Sequence, residues 1–110
     1  MDCIEIKLNR QRIENLYALF YWMSDNWMPE TDIEHLWYCH LQAMSYYMGD
    51  LIRKGMNKQQ NKYTLKITAP EALAWCQFWG GNGLYDLSKR GAVEVQYVMD
   101  IIDKVRKNNR

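Results

Sequence analysis

Residues 31–54 constrain this chain more than any other stretch. Ile33, Leu36, Trp37, His40, Leu41, Met44, Tyr47, Met48, Leu51 and Ile52 recur at i, i+3, i+4 and i+7, which gathers them on one side of an α-helix. Thr31 and Glu34 form the T-x-x-E capping box that opens such a helix, and Gly55 supplies a stop. At 1.5 Å per residue the helix would be ~35 Å long, the full width of a small domain. The rest of the chain is expected to cover that apolar side.

The face away from this stripe is unusual. His35, Tyr38, Cys39, Gln42, Tyr46, Gly49 and Arg53 also recur at helical spacing. A solvated face would carry lysines and glutamates, whereas tyrosine, glutamine, a small glycine and arginine are what contact surfaces favour. A second rod precedes it. Asn9 is a candidate N-cap, followed by Ile13, Leu16, Tyr17, Phe20 and Met23 on one face. Residues 16–23 contain no charged or strongly polar side chain, so this segment is either central to a core or covered by another chain. Ser24, Asp25, Asn26 and Pro29 end it. Leu19, Trp22 and Trp27 add further apolar surface, so either other helices wrap both faces of the long helix or the surplus is a binding site.

Shorter elements complete the order. Ile4, Ile6 and Leu8 alternate with Glu5 and Lys7, as do Tyr63, Leu65 and Ile67 with Thr64, Lys66 and Thr68. Each run reads as a half-buried strand; if the two pair, Lys66 can sit opposite Glu5, with the direction of pairing left open. Thr68 and Glu71 form a second capping box, with Pro70 in the first turn. The helix they open carries Ala72, Leu73, Trp75, Cys76, Phe78 and Trp79 and stops at Gly80 and Gly81. Residues 93–97 alternate as a strand would, but Leu87, Gly91, Val95, Val98, Ile102 and Val105 keep a helical stripe over a longer span. A last helix starting near Asp86 is therefore expected. The reading is an α+β, mainly α, single domain over residues 1–110: four helices and a two-stranded β ribbon in the order β-α-α-β-α-α. The recurrence of β-α-α suggests an internal duplication, 1–56 and 62–108.

Composition narrows function mostly by exclusion. With 110 residues, 48% hydrophobic and 14% aromatic, the chain can bury a core, so disorder is not expected. A net charge of +1 points to no polyanionic partner, and nucleic acid is not expected. Arg53, Lys54, Lys58, Lys62 and Lys66 read as a solvated connection. Cys3, Cys39 and Cys76 are far apart and odd in number, which fits free thiols in a reducing compartment. No segment resembles a signal peptide or is long enough to cross a bilayer, so the expectation is a cytoplasmic protein without membrane contact.

Chemical motifs are sparse. His35 and Cys39 lie four apart, but zinc needs three or four ligands and His40 points about 100° away from Cys39. No metal or cofactor is expected. His40 reads as a core histidine bonded to a backbone or tyrosine oxygen. There is no G-x-S-x-G, no S-x-x-K, and no cysteine with an adjacent oriented histidine, so no enzyme is expected. Gly80-Gly-Asn-Gly83 follows a helix, whereas phosphate loops follow a strand.

Two readings remain. The first is a non-enzymatic protein-interaction module, an adaptor, small inhibitor or homodimer. Tyr38, Gln42, Tyr46, Arg53, Trp22 and Trp27 would meet another protein or a second copy. The alternative is a small-ligand binder whose pocket is lined by Trp37, Tyr47, Trp75 and Trp79, with His40 as polar anchor.

Overall fold

The alternating strands pair as their side chains require. In a computed structural model that describes residues 3–56, 58–81 and 90–108, β1 (Cys3–Asn9) runs antiparallel to β2 (Lys62–Thr68). Glu5 sits opposite Lys66, and Lys7 donates across the pair to the Thr64 hydroxyl at 3.0 Å. The pleat sends Ile4, Ile6, Leu8, Tyr63, Leu65 and Ile67 inward, all buried. A two-stranded ribbon has two bare edges, and a tyrosine meets each. The Lys66 N–H donates to the Tyr47 hydroxyl at 3.0 Å, and the Tyr97 hydroxyl donates to the Lys7 carbonyl at 3.5 Å.

Four helices cover the ribbon's apolar side in the order β-α-α-β-α-α. They are α1 (Arg10–Asn26), α2 (Asp32–Met56), α3 (Ala69–Gly81) and α4 (Ala92–Asn108). Asn9 caps α1, its side-chain oxygen accepting from the Arg12 N–H at 2.8 Å. The Thr31–Glu34 box forms reciprocally, at 3.2 Å from the Glu34 N–H to the Thr31 hydroxyl and 3.3 Å on the return. At α3 only half of the box forms. Thr68 accepts from the Glu71 N–H, but the Glu71 carboxylate turns instead to His40 on α2.

Several sequence expectations change in detail. The long helix continues through Gly55 to Met56, and Gly55 is small for another reason: a Cβ there would run into the Tyr63 hydroxyl. Ile33 and Leu36, placed on the apolar stripe, are 46% and 65% exposed, so the stripe is covered only from Trp37 onward. Residues 93–98 are helical, and Val95, Val98 and Ile102 are buried as the stripe requires. α4 starts at Ala92, after a turn at Arg90 and Gly91, rather than near Asp86; Asp86 and Leu87 lie outside the described residues, as do Asn82 and Gly83. Gly91 has φ +94°, and a Cβ would meet the Asn15 carbonyl oxygen and Leu19, so glycine lets the chain turn against α1.

Candidate functional site: the open flank of α1 and α2

α1 and α2 lie antiparallel, and two contacts fix their register. The Tyr38 hydroxyl donates to the Ser24 carbonyl at 3.1 Å near one end, and the Tyr17 ring packs over Gly49 nearer the other. Gly49 is buried and a Cβ would sit 3.0 Å from the Tyr17 ring, so the missing side chain sets how closely this ring crosses α2. Toward the core the seam is closed by Leu16, Phe20, Leu41, Met44 and Met48. Toward solvent it opens into a groove of about 300 Å³. Tyr17, Tyr21, Ser24 and Asp25 form its α1 wall, and Gln42, Ser45, Tyr46, Gly49 and Arg53 its α2 wall. A shallower hollow of about 580 Å³ continues over the outer face of α1, past Ala18, Trp22 and Asn26.

The rings here are wet. Tyr46 is 74% exposed, Tyr21 54% and Trp22 41%. Charge sits at the two ends of the groove. Arg53 reaches Asp50 at only 3.4 Å, while Lys54 holds the same carboxylate at 2.9 Å. The Lys54 ammonium, with Arg53 beside it, keeps the Asp50 carboxyl below the usual carboxylate range. Asp25, exposed at the opposite end, makes no ion pair among the described residues.

The residues singled out from the sequence fall into two groups. Gln42, Tyr46 and Arg53 line the groove, and Trp22 lines the adjoining hollow. Tyr38 and Trp27 are half-buried against one another, ring centroids 6.4 Å apart, with the Tyr38 hydroxyl held by α1. They support the wall without lining it. Tyr17, Tyr21, Ser24, Asp25 and Ser45 complete the groove but were not singled out. The i, i+4 pair Tyr17 and Tyr21 inside the apolar segment 16–23 was the available signal.

Of the alternative pocket residues, Trp75, Trp79 and His40 gather around Phe20, while Trp37 and Tyr47 have other partners. Trp75 is fully buried and Trp79 2% exposed, their ring centroids 4.8 and 5.2 Å from that of Phe20. His40, 3% exposed, stands edge-on to Phe20 and Trp75. Its Nδ1 lies 2.5 Å from a Glu71 carboxylate oxygen, so its partner is an acid rather than a backbone or tyrosine oxygen. Trp37 donates from Nε1 to the Gln77 side chain at 3.3 Å, and Tyr47 serves the β2 edge. Together these contacts place Trp75, Trp79 and His40 within the core.

Other chemistry is thin. Among the described residues no group of three or more His, Cys, Asp or Glu side chains is placed to hold a metal ion. Cys3 and Cys39 are exposed; burial pushes the Cys76 thiol up, away from the reactive thiolate. No helix among the described residues is long and apolar enough to cross a membrane. No family model, curated protein or solved structure matches this chain.

Proposed function

We propose that this chain is a non-enzymatic protein-interaction module whose contact face is the outer flank of α1 and α2, centred on Tyr46, Tyr21 and Trp22. One observation carries the reading: large aromatic rings surround an open groove here, while the aromatic cluster on the core side of the same helices is sealed. Exposed tyrosine and tryptophan beside an arginine form the composition that concentrates binding energy in protein interfaces. Two helices present it, so little backbone order must be gained on contact. Gln42 and Ser45 supply amide and hydroxyl groups for the polar part of such a contact.

A photo-crosslinking phenylalanine analogue at Tyr46 tests this in the chain's native cells. Val93, 65% exposed on α4, is the control position. The expected result is a discrete protein adduct from position 46 and none from position 93. Equal, diffuse labelling from both positions would reject α1–α2 as the contact face.

A further inference from the structure

The two ends of the groove carry opposite charges that the fold leaves without a strong partner. Arg53, its side chain 61% exposed, competes with Lys54 for one carboxylate, and Asp25 pairs with no cation among the described residues. Along α2 the separation from Gln42, at the Asp25 end, to Arg53 is eleven residues, or about 16 Å at 1.5 Å per residue. Tyr46 and Tyr21 fall near the middle of that span, and both are more than half exposed. A partner that fits must therefore present aromatic surface at its centre, a cation over Asp25 and an anion over Arg53. The same face, turned end for end, has that arrangement.

We propose that the occupant of this face is a second copy of the chain. The two copies are related by a two-fold axis that crosses α1 and α2 near Tyr21 and Tyr46 and brings each Arg53 to the partner's Asp25. A two-fold interface is isologous, so each bridge occurs twice. The proposal rests on the reading of this flank as a contact face and adds the identity of its partner. α1, at 17 residues, is about 25 Å long, and two helices side by side are about 20 Å wide. That footprint gives roughly 1,000 Å² of buried surface for the pair, the low end for a specific complex and the size class of weak, reversible association.

Sedimentation equilibrium of the full chain, from about 1 to about 200 µM, covers the range a contact of this size calls for. The mass is expected to climb from 13.2 kDa toward twice that value. R53E sets two acids together and D25R two cations, so each variant is expected to dimerise at least ~10-fold more weakly. Both positions are exposed, and circular dichroism checks that each variant keeps the parent fold. An equimolar mixture of R53E and D25R is expected to recover the dimer, because every bridge then again joins opposite charges. Wild-type mass fixed at 13.2 kDa, dimers indifferent to both changes, or a mixture that stays monomeric would each overturn the proposal. The wider reading can survive that result: a monomer that still crosslinks from position 46 to a different protein keeps the contact face and rejects self-docking.

Discussion

Phe20 and Tyr21 are neighbours on α1, yet their surroundings are opposite. The Phe20 ring is fully buried between Trp75 and Trp79, while Tyr21 is 54% exposed across the groove from Tyr46. One side of the helix pair faces α3 and the ribbon, which close over it; no described element covers the other. Aromatic content alone therefore does not mark a binding site in this chain. What distinguishes the two clusters is whether a further element arrives to take up their surface.

The sharpest way to break this comparison is to remove one ring from each cluster. Trp75→Ala empties a fully buried position and is expected to cost about 3–5 kcal/mol, a large share of the roughly 5–15 kcal/mol that holds a domain together. Tyr46→Ala should change urea unfolding by less than about 0.5 kcal/mol. Comparable losses from both would mean that Tyr46 belongs to the core.

The two small residues that border α1 make a finer contrast. Gly91→Ala meets a backbone carbonyl and must hold φ +94°, so strain alone should cost about 1–3 kcal/mol. Gly49→Ala meets only the edge of the Tyr17 ring, which can swing into the groove, and should cost under about 1 kcal/mol. Thermal midpoints in the reverse order would place the free space at the wrong seam.

His40→Ala tests the sealed side through a polar contact. It removes the partner of Glu71 and is expected to cost about 1–3 kcal/mol, with Tyr38→Phe, which loses one bond to Ser24, nearer 1 kcal/mol. Denaturant titration that finds His40→Ala neutral would argue against a structural His40–Glu71 pair. The smallest effect is chemical. Cys3 and Cys39 are exposed, whereas burial raises the Cys76 pKa and leaves it less thiolate at a given pH. Mass-resolved alkylation near pH 8 should therefore modify Cys76 last; Cys76 reacting first would contradict its half-buried position.

Much of this architecture was legible in local pattern. Asn9, Thr31 and Thr68 each accept from a backbone N–H where a cap was expected, because capping needs only residues three apart. Alternation told which face of each strand is buried, since a one-residue slip would invert it, but the antiparallel direction and the register with Glu5 opposite Lys66 came from the structure. Glycines were harder to read. Gly55 looked like a helix stop and Gly91 like part of a helical stripe, yet Tyr63 from β2 and Asn15 from α1 give each its role. Those partners lie 8 and 76 residues away in sequence, the second beyond any local window.

The sequence by itself determined six elements, their order and most of the buried positions, because hydrophobic spacing and capping act over a few residues. Only the tertiary structure decided that Trp75 and Trp79 close a core while Tyr21 and Tyr46 border an open groove. A ring's exposure depends on which other element packs against it, and that neighbour is supplied by residues distant in the chain.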